Sequence, residues 1–455
     1  MNLARSLSQA GLDATRAKWE AHWANAVSDS DFDWLVNAAH CTSIRLPIGY
    51  FTLGPSFCNN TPFAGQPAQV YVNAWQAVKT FVSRCRGRGI GVLLDMHALP
   101  GGANGEIHSG TSSGRAELWG NQANLDLARR CLVFLAQEVR GGLDGVVGIQ
   151  LCNEATTGAP GMYQWYDSVI SAIAQVDPNI PIYISDAWDL NTALNYVDGK
   201  NRTTNNTTGN PTIVDTHKYY TFSAADKAQS PQQIIARIPT ELNELSGKEG
   251  DVFTHGAAQL IVGEYSCVLD GQTWSRVAPA DKPGLVQQFG RAQSARWQQK
   301  AGGSYFWTYK MDWMDGGEWG FAAQTKDADI LPPPSLLLSA GDVRARADTA
   351  QAQRQQRKDG AVANHTNYWN STAPGATFEH WRFGVGWDTG FSDALAFFGM
   401  KANGALQGQG ADKIGCLDLW VRKREAESGQ GGQFVWEWEQ GFRQGVGDLG
   451  AVVGA

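Results

Sequence analysis

Residues 90–110 read IGVLLDMHALPGGANGEIHSG, an apolar run that passes into a glycine-rich loop. The run IGVLLDMH is almost continuously apolar, which is typical of a parallel strand buried on both faces. It ends on Asp95 and His97, polar residues that a buried strand interior usually excludes. The stretch therefore predicts a buried strand whose carboxyl end carries functional groups, followed by a loop that lies beside them.

Six further runs have a similar pattern of apolar residues. They are TSIRLPI (42–48), VVGIQLCNE (146–154), PIYISD (181–186), TIVDTHKYY (212–220), QLIVGEYS (259–266) and SYFWTYK (304–310). Longer segments between the runs, such as residues 70–89 and 125–142, have apolar residues three and four apart and glycine after the last turn, which indicates helices. This alternation predicts an α/β protein with a parallel sheet closed into a (β/α)8 TIM barrel.

Composition limits the classes of function. With 43% hydrophobic and 18% charged residues, the chain of 455 residues is predicted to be globular. Its net charge is -7, and its basic residues form no run longer than 422–424, so nucleic acid is not an expected partner. No apolar stretch is long enough to predict a membrane span. Eighteen tryptophans, most of them expected in the core, also suit a site for flat sugar rings.

Cellular location is predicted from the amino terminus and the cysteines. The first residues contain no apolar run typical of a signal peptide. Seven cysteines, an odd number without paired spacing, fit free thiols in a reducing compartment. We therefore expect a cytoplasmic protein, or an extracellular one if a leader was removed. The oligomeric state stays open.

Polar side chains cluster at the ends of the predicted strands. In a barrel, the carboxyl ends of all parallel strands meet at one face, so these residues are expected to share one pocket. Taken singly, each residue is better interpreted as a solvated rim charge or a satisfied polar residue. Together they favour a functional site made of Arg45, His97, Asn153, Glu154, His217, Tyr219, Glu264 and Trp307.

Two of these residues suggest the chemistry. Glu154 and Glu264 end separate strands, and glycosidic bond hydrolysis uses one protonated and one ionised carboxyl group. Glu154 is then the predicted acid/base, and Glu264 is the predicted nucleophile. The negative charge of Glu264 is expected to raise the pKa of Glu154.

This set of residues resembles the retaining family 5 glycoside hydrolases. The resemblance covers roughly residues 30–320, and all eight functional positions of the family are matched in order. It implies a TIM barrel with both catalytic glutamates, Glu154 and Glu264, and six residues around the sugar. It also implies a carbohydrate substrate, a double-displacement mechanism and no cofactor or metal.

The loop that follows the run IGVLLDMH makes the resemblance more specific. D-M-H-A-L-P-G-G-A-N-G-x-x-x-S-G is similar to the loop found there in fungal exo-β-1,3-glucanases, and the absence of a leader favours their intracellular branch. The resemblance implies release of glucose from a β-glucan or β-glucoside. Ala103 and Ile107 replace the usual Gln and Asp, so linkage preference stays open. Asn104 is expected to line the sugar pocket, whereas Glu106 and His108 are interpreted as loop residues.

Two regions depart from the family pattern. The family's first barrel strand should precede residue 15, so this strand is either missing or replaced. The barrel domain is predicted to span residues 1–372 and to end with a polar helix at 342–360. Residues 373–455 contain three aromatic segments with glycine-rich turns, at 377–398, 413–425 and 431–442, which predict a small β-rich extension packed on the barrel. Carbohydrate binding by this extension is the alternative.

Other functions remain open. A metal hydrolase is disfavoured because no H-x-H or H-E-x-x-H spacing occurs. A non-catalytic sugar-binding descendant would keep the fold without activity. Among enzymes, the alternative is an intracellular β-glucosidase that acts on glucolipids or other glucosides.

Overall fold

The computed structural model describes residues 3–202, 209–248, 250–251, 256–311, 316–403 and 416–454. Seven strands form one parallel sheet in which each strand pairs with the next along the chain. They are β1 (Ser43–Gly49), β2 (Gly91–Ala98), β3 (Val146–Gln150), β4 (Ile182–Ser185), β5 (Thr212–Tyr220), β6 (Leu260–Leu269) and β7 (Ser304–Phe306). All seven predicted strands are confirmed.

Helices follow the strands and cover the outside of the sheet. The α-helices of the described residues are α1 (Leu3–Asn25), α2 (Asp29–Asn37), α3 (Gln66–Val70), α4 (Ala74–Arg86), α5 (Gln122–Arg140), α6 (Met162–Ala174), α7 (Leu190–Lys200), α8 (Ala224–Lys227), α9 (Pro231–Arg237), α10 (Gly271–Trp274), α11 (Lys282–Lys300), α12 (Phe321–Lys326), α13 (Ala340–Thr372), α14 (Trp381–Asn403), α15 (Leu417–Ser428) and α16 (Val435–Val453). The predicted helices at 70–89 and 125–142 correspond to α4 and α5. None of the described helices combines the length and hydropathy needed to cross a bilayer.

The two faces of each strand have different surroundings. In β2, Val92, Leu94 and Met96 pack into the large core shared with the outer helices. The alternate residues point into the barrel, because side chains alternate between the faces of a strand. Leu93 thus lies near the amino-terminal end of the barrel interior, and Asp95 and His97 lie above it. This alternation places the polar residues near the carboxyl ends of the strands inside the barrel.

The barrel is nearly closed. Among the described residues, no strand pairs with the outer edges of β1 and β7, so the family's first strand has no counterpart there. The edges approach each other where Ser43 Oγ donates a hydrogen bond of 3.1 Å to Tyr305 Oη. A groove of about 570 Å³ lies between them, lined by residues of both strands together with Trp297.

The predicted β-rich character of residues 373–455 is wrong, because the described part of this region forms α14, α15 and α16. Residues 413–415 of the second aromatic segment lie outside the described residues. Glycines that were interpreted as turn residues lie instead where α14 and α16 are in contact. An added Cβ would lie 2.0 Å from the Trp438 carbonyl oxygen at Gly386, and 2.0 Å from that of Phe383 at Gly441. Glycine therefore permits the backbones of α14 and α16 to touch.

The carboxy-terminal helices pack on the barrel, as predicted. Trp420, Trp438 and Phe442 form a buried cluster with Ile213 and Ile261, which lie near the amino-terminal ends of β5 and β6. This cluster fills the bottom of the barrel. The polar helix predicted at 342–360 lies within α13, whose buried Ala350 belongs to a cluster with residues of α14 and α16 rather than to the barrel core. A domain boundary after residue 372 stays a prediction.

Candidate active site

Arg45 on β1 lies at the centre of the barrel interior and connects three strands. Its Nε donates to Gln150 Oε1 at 2.9 Å, its Nη1 to Glu264 Oε1 at 2.9 Å and its Nη2 to Asn153 Oδ1 at 2.6 Å. The planar guanidinium presents these donors in a fixed arrangement. Arg45 therefore fixes the orientation of Glu264 and Asn153, two residues predicted for the site.

Two buried acids neutralise Arg45 from below. Asp95 Oδ2 lies 3.1 Å and Asp215 Oδ2 lies 3.6 Å from Nη2. Burial alone would lower the pKa of Arg45, but the charges of Asp95, Asp215 and Glu264 outweigh burial and raise it. Glycine at position 263 makes room for one acid, because a Cβ there would lie 1.9 Å from Asp215 Oδ1. Asp215 can therefore balance the charge of Arg45 only because residue 263 is glycine.

His97 is oriented by hydrogen bonds on both ring nitrogens. Its Nδ1 lies 2.6 Å from Asp95 Oδ2, and a carboxylate only accepts, so Nδ1 carries the hydrogen. Its Nε2 lies 3.4 Å from Asn153 Nδ2, which donates to it. The indole of Trp307 lies nearly parallel to the imidazole, with an angle of 8° and ring centres 5.7 Å apart. His97, Asn153 and Trp307 therefore form one wall of the site.

His217 lies between the two predicted catalytic glutamates. Its Nε2 is 3.2 Å from Asp215 Oδ2, while its Nδ1 is 2.8 Å from Glu154 Oε1 and 3.6 Å from Glu264 Oε2. Nδ1 and one oxygen of each glutamate all lie within 4.8 Å of one another. With Nε2–H donating to Asp215, a proton is required between Nδ1 and Glu154. Glu154 and His217 therefore hold that proton jointly.

The loop after β2 supports Glu154 at two points. Asn104 Nδ2 donates to the Glu154 carbonyl oxygen at 2.8 Å, and Glu154 itself has a positive φ of 42°. Asn104 therefore acts on the backbone of Glu154, whereas the sequence predicted only pocket lining. His108 Nε2 lies 3.3 Å from Glu154 Oε2. The sequence interpretation did not predict this contact. The only signal in the sequence was the position of His108 in the loop shortly after His97.

The pKa of Glu154 differs from the expected direction. Burial raises it, but hydrogen bonds from His108 and His217, with their charges, outweigh burial and lower the pKa below its usual range. The pKa of His217 is raised well above its usual value, because neighbouring Glu264, Asp215 and Glu154 outweigh its desolvation. The expected net increase in the pKa of Glu154 is therefore wrong. Both directions favour the proton on the imidazole in the free site.

Tyr219 holds the other glutamate. Its Oη donates to Glu264 Oε2 at 2.7 Å. Burial and the charge of Glu264 raise the pKa of Tyr219, so the phenol stays protonated and remains a donor. Glu264 thus receives one hydrogen bond on each oxygen, from Arg45 and from Tyr219.

An aromatic rim lies at the opening, and the sequence interpretation did not single out Trp188 and Phe222 within it. Trp188 follows β4 and Phe222 follows β5, with 54% and 65% of their surfaces exposed. The Phe222 ring lies 5.5 Å from that of Tyr219 and 6.3 Å from that of Trp319. Gln150 and Asp215 were also missed. Their signal was the same as for the residues found, since polar groups interrupt otherwise apolar strands.

Comparison with known proteins assigns the family. A model described as cellulase (glycosyl hydrolase family 5) matches residues 7–284, more than half of the chain. The chain belongs to glycosyl hydrolase family 5. A second model, described as the C-terminal domain of glucan 1,3-beta-glucosidase 3, matches residues 350–453 of this family 5 hydrolase. The helices α14 and α16 thus belong to a recurrent domain.

Two yeast proteins resemble the hydrolase over most of its length. An uncharacterised glycosyl hydrolase of Saccharomyces cerevisiae is 30% identical over 436 residues, which cover 93% of this chain and 79% of the relative. Glucan 1,3-beta-glucosidase 3 of Schizosaccharomyces pombe is 30% identical over 438 residues, which cover 95% and 85%. Among solved structures, a rutinosidase from Aspergillus niger matches with a TM-score of 0.50 and 17% identity over 68% of this chain and 84% of that one, a likeness of fold.

Proposed function

We propose that this hydrolase is a retaining enzyme that releases glucose from β-glucans or β-glucosides by double displacement, with Glu154 as acid/base and Glu264 as nucleophile. The observation that carries the proposal is the approach of the two carboxylates beside His217, where one oxygen of each lies within 4.8 Å of the other. Retaining enzymes have carboxyl groups about 5 to 5.5 Å apart, whereas inverting enzymes need about 6.5 Å or more to admit water.

The nucleophile assignment rests on the contacts of Glu264. Arg45 and Tyr219 each donate to one of its oxygens, at 2.9 and 2.7 Å. Both hydrogen bonds hold the carboxylate in one orientation. In the first step, Glu264 attacks the anomeric carbon while Glu154 passes its proton to the departing oxygen. In the second step, Glu154 takes a proton from water, which displaces Glu264 from the sugar.

The proton for the first step comes from the pair formed by Glu154 and His217. Their 2.8 Å contact holds one proton, which can pass from the imidazole to the carboxyl group. A bound sugar displaces water from the site and disfavours the charged pair relative to the neutral one. The substrate thereby produces the protonated acid that its own cleavage requires.

The remaining residues form the site for the reacting glucose. Trp307 presents an aromatic face to the ring. Asn153, whose orientation Arg45 and His97 fix, bonds the sugar 2-OH as charge develops. The name of the S. pombe relative supports a β-1,3-glucan as the substrate.

A second candidate substrate is a glucolipid or another glucoside with an apolar aglycone. The observation that favours it is the exposed aromatic rim, in which Trp188 and Phe222 present large apolar surfaces beside His217 and Tyr219. Such surfaces suit either the flat face of a second sugar or an apolar group. The two candidates share the catalytic step and differ only in the leaving group.

Product analysis over time on laminari-oligosaccharides tests the proposal. We expect glucose to appear first, released from the non-reducing end with retained configuration. Early di- and trisaccharides without glucose would show internal cleavage. Rapid turnover of a glucolipid beside inert oligosaccharides would favour the second candidate, and binding without turnover of either would establish a non-catalytic protein.

Azide rescue tests the roles of the glutamates. With Glu154→Ala, azide should restore turnover of an aryl glucoside with a good leaving group and give a β-glucosyl azide, because Glu264 still forms the covalent intermediate. Glu106→Ala, which changes an exposed carboxylate of the same loop, is the matched control and should need no azide. An α-azide product would contradict the double displacement.

A further inference from the structure

A second cluster of titratable side chains lies among the carboxy-terminal helices. His365 is on α13, His380 directly precedes α14, and Glu437 is on α16. His365 Nε2 and His380 Nδ1 lie 3.0 and 2.8 Å from the same atom, Glu437 Oε2. The Glu437 side chain is fully buried. Two imidazoles and a buried carboxylate thus converge from three separate segments.

An outer contact orients the nitrogen lone pair of His380. His380 Nε2 lies 3.3 Å from Asn370 Oδ1, an oxygen that only accepts, so Nε2 carries the hydrogen. The lone pair of Nδ1 in the neutral ring then faces Glu437 Oε2. Two acceptors 2.8 Å apart require a proton or a metal cation between them. The other carboxylate oxygen, Oε1, accepts from the Glu379 backbone N–H at 2.7 Å and is already satisfied.

Aromatic rings hold both imidazoles in place. Phe383 stacks on His365 with ring centres 4.1 Å apart, and Phe378 stacks on His380 at 5.1 Å. The two imidazole planes are perpendicular, 5.2 Å apart. A fixed ring orientation and an outer hydrogen bond from the non-ligating nitrogen are features of metal-binding histidines. His380 has both features, and the ring of His365 has the fixed orientation.

We propose that His365 Nε2, His380 Nδ1 and Glu437 Oε2 bind one divalent cation of the zinc class, with water as the fourth ligand. The three atoms lie within 4.8 Å of one another. Zinc bonds of about 2.0 to 2.2 Å to nitrogen and oxygen place tetrahedral ligands about 3.3 Å apart. This spacing is a few tenths of an ångström longer than the 3.0 and 2.8 Å that separate the two nitrogens from Glu437 Oε2. Imidazole ligands select zinc over calcium or magnesium. This ion ties α13, α14 and α16 together, independently of the proposed glycosidase activity.

Cobalt titration of the full chain, freed of metal with a chelator, tests the site. Glu154, His217 and Glu264 are a second group able to hold a cation, so the titration is done on His217→Ala, which removes one ligand there. We expect one equivalent of Co²⁺ to bind with the visible absorption of four-coordinate cobalt, Zn²⁺ to displace it, and Zn²⁺ to raise the melting temperature.

Two variants locate the ion. His380→Ala and Glu437→Gln in the same background should lose the cobalt absorption and the thermal shift, while His22→Ala, which changes an exposed histidine, should keep both. His217→Ala leaves the residues of the carboxy-terminal helices unchanged. If this variant does not bind cobalt, the proposal is wrong. Retention of binding by folded His380→Ala would overturn it as well.

Discussion

At the scale of single residues, the protonation of the site depends on the neighbours of Glu154. His217 and His108 contact different oxygens of this carboxylate, at 2.8 and 3.3 Å. The pKa of His108 is raised, chiefly by its hydrogen bond to Glu154. Because a positive imidazole stabilises the ionised carboxylate, each histidine lowers the proton affinity of the acid that the proposed reaction needs.

Replacement of His108 should therefore move the pH profile in one direction. In His108→Ala, Glu154 loses a stabilising charge and keeps its proton to higher pH. The alkaline limb of kcat/KM should then shift upward, by on the order of one pH unit. A pH–rate profile on an aryl glucoside measures this shift. Ile107→Ala, at a neighbouring position that is 82% exposed, should leave the limb in place, and an unmoved limb in His108→Ala would contradict the role of His108.

At the scale of elements, backbone positions without side chains control two contacts. The first is on β6, where Gly263 leaves room for Asp215 beneath His217. We expect Gly263→Ala to displace Asp215, since the added Cβ would lie 1.9 Å from Oδ1. Activity should fall by at least tenfold as His217 and Arg45 lose a buried partner worth about 1.5 to 3 kcal/mol. Steady-state kinetics measure the loss, and Gly303→Ala, whose Cβ would meet only Ile261 at 3.9 Å, should stay near wild type.

The second contact joins α14 and α16. Gly441→Ala should lower the free energy of unfolding by about 1 to 3 kcal/mol, because its Cβ would lie 2.0 Å from the Phe383 carbonyl oxygen. Gly447→Ala on the same helix meets no atom within 4 Å and should stabilise by about 0.5 to 1 kcal/mol through helix propensity. Opposite shifts in urea unfolding are expected. Equal shifts would show that the helices do not touch at Gly441.

At the scale of the whole molecule, barrel and carboxy-terminal helices share one buried cluster. Trp438 and Phe442 of α16 pack with Leu93, Ile213 and Ile261 inside the barrel. Because each part covers apolar surface of the other, the two should unfold together. Loss of activity and loss of helical circular dichroism are therefore expected to coincide on heating.

Truncation of that cluster should lower the common transition. Phe442→Ala removes a fully buried ring and should cost about 3 to 5 kcal/mol. Leu417→Ala on α15, at a position 38% exposed, should cost far less. Two separate transitions in Phe442→Ala, with activity lost at the wild-type temperature, would show that the barrel does not depend on the helices.

The sequence by itself determined the strands and the convergence of the eight predicted site residues. A buried parallel strand is a local pattern, and parallel strands all end at one face, so Arg45, Glu154 and Glu264 meet whatever their distance along the chain. The family followed from the order of those residues. Their catalytic roles stay predictions.

Only the tertiary structure decided which partner each side chain meets. The contact of His108 with Glu154 depends on the path of a glycine-rich loop, which local sequence does not specify. The carboxy-terminal helices were misinterpreted because glycine and aromatic residues suit both turn-rich strands and closely packed helices. Spacings such as Gly386 to Gly390 and Gly441 to Gly445 indicate a helix only when a second backbone lies against them, and that contact between distant segments exists only in the folded chain.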